Sequence, residues 1–510
     1  MTKYIISHDL GTSGNKASLF SEEGKLIGSF VSKYETYYIG NNYVEQNAES
    51  WWEAICKTTQ NLIKDFKING NDIAVVSFSG QMMGCLCVDI NGNPLRHSII
   101  WADQRAQKQA LHIEKNISQE EFYSIVGHKN TPSYGIQKLM WIKDNEPEIY
   151  EKTYKMLNAK DFIVSRLTGN FYTDYSDGNS TGCFDLKNLK WSDKIIEYSG
   201  IDKDKLPELK PSTYIAGKVT VEASKATGLI EGTPVVLGAG DGVTASVGAG
   251  SISPGRTYCS LGTSAWITTT TKEPIYDKEM RTVTWAHAIP GLYAPNGTMQ
   301  TAGGALSWFK NELCKVESHM AEESGTSFYD IINKEVNQSP AGSNGIYFLP
   351  YLLGERAPRW DVYAKGAFIG LKTEDERKDI MRSIMEGVTF NLAIILDVLR
   401  IQVEINELMV VGGGAKSSVW NQIMSDVFNT EVKVPEVLEE ASSMGAAIIG
   451  GVGVGLFDDF NVIDKFININ ATTTPDENSV AIYTENKIVF DEAYYALKPV
   501  FEKMSKLNKF

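Results

Sequence analysis

Apolar and polar positions alternate or recur along this chain in a regular way. Residues 4–31 read as a β-meander: three strand-like runs separated by a Gly-Thr-Ser-Gly-Asn turn and a turn at Gly24. A helix is expected over 48–66, with Trp51, Trp52, Ile55, Leu62 and Ile63 on one face. Strands follow at 73–78 and 85–89, the second closed by an Asn91-Gly92 turn. Helical spacing returns at 138–142, ending before Pro147, and at 157–167, closed by Gly169. Short helices and a strand fill 191–233, with Pro207 and Pro211 in loops. An apolar run at 235–237 leads into a glycine cluster holding one carboxylate, Asp241. Small residues at 244–250 suggest a closely packed helix, and a strand at 257–261 ends in Gly262-Thr263-Ser264. Beyond it the pattern predicts a Gly-Gly helix start within 299–309, a strand at 345–350 and an amphipathic helix over 374–400. A strand at 407–411, a triple-glycine turn, a helix at 419–429 and a strand at 431–434 complete that half. A last helix is expected over 488–504, kinked or broken at Pro499.

Strands alternating with helices over 510 residues predict an α/β protein of two domains, here divided as 1–248 and 249–510. The net charge of −14 argues against a broad nucleic-acid or anionic-membrane surface, but a bound nucleotide needs only a few local donors. Six scattered cysteines are expected to be reduced, and with no signal-peptide pattern read at the start of the sequence a cytoplasmic location is expected. Cys85 and Cys87 face one way on a strand, a weak metal signal without a second pair. The apolar stretch 444–457 falls short of the ~20 residues of a membrane span.

The candidate chemistry lies at the strand ends. A Gly-Thr-Ser turn follows Asp9 and another follows residue 261, which suggests a phosphate site between two similar halves. Asp9 is placed to hold Mg²⁺, and the alternative for its turn is an ordinary hairpin. His8 reads as a satisfied strand residue. Gln81 reads as a substrate contact or a capped loop, and Asp103 with Arg105 as a substrate element or a local ion pair. The triple glycine at 412–414 suits a nucleotide, whereas no P-loop pattern occurs. Gly178-Asn179-Ser180-Thr181-Gly182 matches a hydrolase elbow, but its polar lead-in at 173–177 lacks the required apolar strand. The loop 354–360 is dense in charge.

Eight elements in order resemble the FGGY carbohydrate kinases. They are Asp9-Leu-Gly-Thr-Ser-Gly14, Ser79-Gly-Gln-Met82, Trp101-Ala-Asp-Gln-Arg105, Lys138-Leu-Met-Trp141, Gly238-Ala-Gly-Asp-Gly242, Leu261-Gly-Thr-Ser264, Gly366-Ala-Phe-Ile-Gly-Leu371 and Gly412-Gly-Gly-Ala-Lys416. The resemblance implies two ribonuclease-H-like domains of the actin, Hsp70 and hexokinase superfamily around a cleft. It implies ATP and Mg²⁺ as cofactors and a small sugar as substrate, and leaves a homodimer open. Asp241 would be the catalytic base, and Asp9 with Asp241 would face the metal. Gly11, Thr12, Ser13, Gly262, Thr263, Ser264, Gly303, Ser307, Gly413 and Ser417 would hold the nucleotide. Gln81, Met82, Met83, Trp101, Asp103, Asp241 and Gly242 would line the sugar site. The loop resembles the xylulokinase branch, and a ketopentose such as xylulose is the expected substrate. Three positions depart from the pattern: Met83 stands where His is usual, Gly242 where Asn is frequent, and Gly135 where Pro, Ser or Thr is usual. They shift the expectation toward another ketose, a deoxy sugar or a polyol. A non-catalytic sugar sensor of the same fold is the competing reading.

Overall fold

A computed structural model describes residues 2–40, 42–436 and 440–507. Two seven-stranded sheets carry the molecule. The first is ordered Ile215–Lys218, Pro234–Val236, Ile73–Gly80, Tyr4–Leu10, Gly14–Ser21 and Leu26–Lys33, with Ala239–Gly240 beside the end of Ile73–Gly80. The second is ordered Ile469–Thr473, Glu431–Pro435, Glu407–Val411, Thr257–Leu261, Ala265–Thr269, Tyr293–Met299 and Val283–Ala286. Both repeat one pattern around their opening strand. On one side lie antiparallel strands, two in the first sheet and three in the second, and on the other two parallel strands and an antiparallel edge. Parallel strands are covered on both faces, so they read as unbroken apolar runs: Val75, Val76 and Phe78 are all fully buried.

Helices cover the sheets through the expected apolar stripes. Ala48–Asp65 buries Trp51, Ile55 and Leu62, and Asn47 caps its start by accepting from the Glu49 amide. Arg377–Leu399 lies in the core of the second half, with Ile384, Val388 and Leu392 fully buried.

The halves meet along two crossing helices, Asp241–Gly248 and Ala441–Gly453. A Cβ on Gly445 would lie 1.8 Å from Thr244 O, and one on Gly248 would lie 1.8 Å from Ala441 O, so the two backbones touch. Val243 and Val247 pack with Ile5 and Val75 of the first half, whereas Ala245 and Ala249 pack with Tyr258 and Val411 of the second. The helix Ala441–Gly453 returns to the first sheet, where Ile448 and Ile449 join the same cluster.

Several expectations are corrected. Leu157 belongs to a strand, Lys155–Leu157, and the helix starts after it at Ala159, with Asn158 and Asp161 forming a capping box. The last helix runs from Glu477 to Leu507, beginning earlier than expected and continuing through Pro499. Its buried residues, Tyr483, Phe490, Tyr494 and Phe501, form a stripe on both sides of the proline, and that packing overrides the missing N–H. All six cysteines are free. No helix among the described residues is long and apolar enough to cross a membrane.

Candidate active site

The opening strand of the first sheet, Tyr4–Leu10, carries Asp9 one residue before its end. Its Oδ1 is buried without a hydrogen-bond partner. Burial raises the Asp9 pKa, a Ser79 hydrogen bond and the charge of Lys16 oppose this, and Glu440 adds to it. Lys16 is ion-paired with Glu440, which immediately precedes the Ala441–Gly453 helix, so the pair joins distant parts of the chain. The Glu440 Oε2 is also buried without a partner.

The turn after Asp9 is closed by Gly11 N–H donating to Gly14 O at 3.0 Å. Ser13 is exposed at its tip. Trp101 Nε1 donates to Thr12 Oγ1 at 2.9 Å, and Gln46 Nε2 donates to Thr12 O at 2.7 Å. Gln81 continues the network: its amide donates to Leu10 O and its Nε2 to Gln46 Oε1 at 2.8 Å, leaving its Oε1 buried and unpartnered. Gln81 and Trp101 thus join one wall with the Gly-Thr-Ser turn.

Met82 is buried, and a Cβ on Gly240 would lie 2.6 Å from its sulfur. Met83 adopts φ +63°, an uncommon conformation for a side chain of this kind. Its amide donates to Ser180 Oγ at 3.0 Å, and its carbonyl accepts from Lys138 Nζ at 2.8 Å. Lys138 also donates to Ile100 O at 2.7 Å, which ties the Met83 turn to the segment bearing Trp101. Burial pushes the Lys138 ammonium down to about 7.

Asp103 differs from the expected substrate contact. It is fully buried, accepts from the Val44 amide at 2.6 Å and grips Arg105 through Nε and Nη2 at 2.9 and 2.7 Å. Arg105 also pairs with Glu45 and lies 4.0 Å over the Tyr43 ring. The local ion pair is the arrangement found, and Asp103 holds the loop that carries Trp101.

Asp241 opens the crossing helix Asp241–Gly248. The strand before it is pinned by Gly240 N–H donating to Ser176 Oγ at 2.9 Å, and Ser176 in turn donates to Asp174. Asp174, Asp161 and Asp177 surround the buried Lys160 ammonium at 2.8, 2.7 and 3.1 Å, a rigid support behind the site. Asp241 is exposed, and its Oδ1 accepts from the Gly242 amide at 2.8 Å. Loss of hydration around its carboxyl, and then the negative charge of Asp9, push its pKa up to about 7. A side chain at Gly242 would meet nothing within 4 Å, so the position is open.

Three glycine turns gather around the end of the strand Thr257–Leu261. Gly262 N–H donates to Ser264 O at 3.0 Å, a turn one residue tighter than that at Gly11, and Thr263 is exposed at the tip. Gly303 and Gly304 donate to Gly262 O and Thr263 O, and a Cβ on Gly303 would lie 2.6 Å from Gly262 O. Gly412 takes φ +91° against Leu261 O, and Gly413 faces open space. Ser307 Oγ donates to Gly303 O, and Ser417 Oγ caps the helix Ser418–Phe428 while donating to Asn333. Both hydroxyls therefore already have local partners.

Sequence reading missed Lys16, Gln46, Lys138 and Glu440. Lys138 stands in a quoted motif, and only the fold reveals that its ammonium binds two carbonyls.

Comparison with known proteins agrees with this geometry. Residues 4–248 match the N-terminal domain, and 257–454 the C-terminal domain, of the FGGY family of carbohydrate kinases. The chain is 32% identical to a gluconokinase of Bacillus subtilis over 99% of its own length and 96% of that protein. It is 30% identical to a xylulose kinase of Staphylococcus xylosus over 96% and 99%. The solved structure of a ligand-bound xylulose kinase from Lactobacillus acidophilus superimposes with a TM-score of 0.91 at 27% identity, covering 99% of this chain and 100% of that one. The repeated sheet is accordingly the two-domain fold of these kinases. With both domain models matched in order and relatives aligned almost end to end, the chain belongs to the FGGY family of carbohydrate kinases and is a phosphotransferase enzyme.

Proposed function

We propose that the protein transfers the terminal phosphoryl group of ATP to a hydroxyl of a small sugar, with Asp241 as the general base. The observation that carries this reading is the exposed Asp241 carboxylate at the start of the crossing helix, beside the open position at Gly242 and near enough to Asp9 for that charge to help push its pKa up to about 7. A sugar hydroxyl is a weak nucleophile at neutral pH. A carboxylate of this basicity accepts its proton as the oxygen bonds to phosphorus and ADP leaves, help worth ~10²–10⁴-fold.

The remaining residues fit supporting parts. Thr12 and Ser13 from one turn, with Gly11, and Gly262, Thr263 and Ser264 from the other, offer amides and hydroxyls to phosphate oxygens from opposite sides. The open backbone at Gly413 suits the adenosine. Division of labour follows the halves, with 1–248 holding the sugar and the base and 249–510 the nucleotide.

The residues present also fit Mg²⁺. Asp9 has a buried Oδ1 without a partner, and carboxylate oxygens are the hard donors that this ion takes. No group of three or more His, Cys, Asp or Glu among the described residues forms a closed metal cage. One or two carboxylates suit an ion held mainly by phosphates and water. When bound, it would supply positive charge to the phosphate oxygens.

The acceptor's class is the finer question. The Gln81–Met83 loop alone admits a ketopentose such as xylulose, another ketose, a deoxy sugar or a polyol, and the name of one relative adds gluconate. ADP release from Mg-ATP across such a panel tests the reading. A sugar-dependent signal with at least one acceptor is expected. Sugar and ATP binding without ADP release would establish a sensor instead.

A further inference from the structure

The polar run Thr173-Asp174-Tyr175-Ser176-Asp177, which rules out a hydrolase elbow, has another use in the fold. Asp174 ends the strand Tyr172–Asp174 and caps the short helix Tyr175–Asn179. It is fully buried, so both carboxylate oxygens need donors. Oδ1 accepts from Lys160 Nζ at 2.8 Å. Oδ2 accepts from the hydroxyls of Ser176 at 2.6 Å and of Ser212 at 2.8 Å. Ser212 follows the strand Glu208–Lys210, which pairs with Tyr172–Asp174. One carboxylate oxygen therefore gathers two separate segments.

Both serines reach the chain that leads into Asp241. Ser176 Oγ accepts from Gly240 N–H at 2.9 Å, and Ser212 O accepts from Gly238 N–H at 3.0 Å. Gly238 takes φ +71°, and a Cβ there would lie 1.8 Å from Phe78 O, so this chain lies flat against the strand Ile73–Gly80. Its two glycines offer no side chain to grip. Its hold consists of the two serine bonds and the short pairing of Ala239 and Gly240 with Ser79 and Gly80. The helix Asp241–Gly248 has no capping side chain at Gly240, so the residues before it set the bearing of its first carboxylate.

We propose that Asp174, acting through Ser176 and Ser212, is a positioning residue that aims Asp241 at the acceptor hydroxyl. This rests on the reading of Asp241 as the base. Proton acceptance needs the two oxygens within about 2.6–3.2 Å of each other. A displacement of about 1 Å is enough to cost ~10²-fold in rate. Asparagine at 174 would keep one acceptor atom in place of two, and one atom cannot serve both Lys160 and the serine hydroxyls.

The experiment compares wild type, Asp174→Asn, Ser176→Ala, Ser212→Ala, Asp241→Asn and the double variant Ser176→Ala/Asp241→Asn. Labelled phosphate transfer from γ-labelled Mg-ATP to the best acceptor gives kcat, calorimetry gives ATP affinity, and thermal melting confirms folding. Asp174→Asn and Ser176→Ala are expected to lower kcat by ~10–10²-fold with ATP affinity kept, and Ser212→Ala by less. In the Asp241→Asn background, Ser176→Ala should cost no more than about twofold further, because its effect passes through the carboxylate already removed. A folded Ser176→Ala with wild-type kcat, beside an inactive Asp241→Asn, overturns the positioning role and leaves the kinase reading intact. The full loss repeated in the Asp241→Asn background, or ATP affinity falling with kcat, also overturns it, by showing general damage to the half. Near-wild-type transfer by Asp241→Asn removes the base reading and this inference with it. If Asp174→Asn does not fold, the serine variants decide, since each deletes a single hydroxyl.

Discussion

Met83 and Asp241 show how a few atoms set this site's chemistry. Met83 is held at φ +63° by Ser180 and Lys138, a conformation in which His is enriched relative to most side chains. Met83→His therefore meets no new backbone strain, and it adds a hydrogen-bonding group to the sugar wall. Its activity on D-xylulose, measured as kcat/KM, is expected to rise. An unchanged or lower value would show that this turn does not govern the acceptor. Asp241 must be ionised to accept a proton, so kcat/KM should climb with pH and level off above about 7. A profile that is flat from pH 5 to 8 would contradict the assigned base. The same shift has a stability consequence. A carboxyl whose folded-state pKa is raised favours folding while protonated, and this advantage is lost as pH rises from ~4 through about 7. Asp241→Asn should accordingly raise Tm at pH 8 relative to wild type and change it little at pH 4.

At the scale of elements, the closest contact is between the helices Asp241–Gly248 and Ala441–Gly453. Their glycines allow backbone to touch backbone, and no side chain is present that could yield. Gly445→Ala is expected to lower stability by about 1–3 kcal/mol, read by denaturant unfolding, because the added methyl must push the helices apart. Gly242→Asn, two residues before Thr244 on the same helix, enters open space and should leave the unfolding midpoint nearly unchanged. Local pattern carried most elements into view. The strands Thr257–Leu261 and Glu407–Val411 have the bounds expected from apolar runs that end in glycine turns, and the small residues after Asp241 do form a closely packed helix. Where local reading failed, distant partners decided the outcome. The first turns of the helix Glu477–Leu507 are held by Tyr483 against Glu386 and Arg382 and by Lys487 against Asp397, contacts about a hundred residues away in sequence. Leu157 reads as the start of a helix until its pairing with Leu86 is known.

Over the whole molecule, the two Gly-Thr-Ser turns recur because the sheet pattern recurs. Each turn follows the opening strand of its sheet and leads into the antiparallel neighbour. That duplication was legible from the turns alone, and the eight ordered motifs named the family. The site's wiring was not. Trp101 with Thr12, Lys16 with Glu440 and Arg356 with Trp101 are juxtapositions made only by folding. Asp103 shows the converse, since a motif residue proves to be a brace for its loop. The crossing helices pack against both sheets and so fix the two halves to each other. The most direct measurement is transfer of labelled phosphate from γ-labelled Mg-ATP to the best acceptor by wild type and Asp241→Asn, with ATP affinity measured alongside. Loss of transfer by ~10²-fold or more, with ATP affinity kept, is the expected result. Near-wild-type transfer by Asp241→Asn would contradict the central claim.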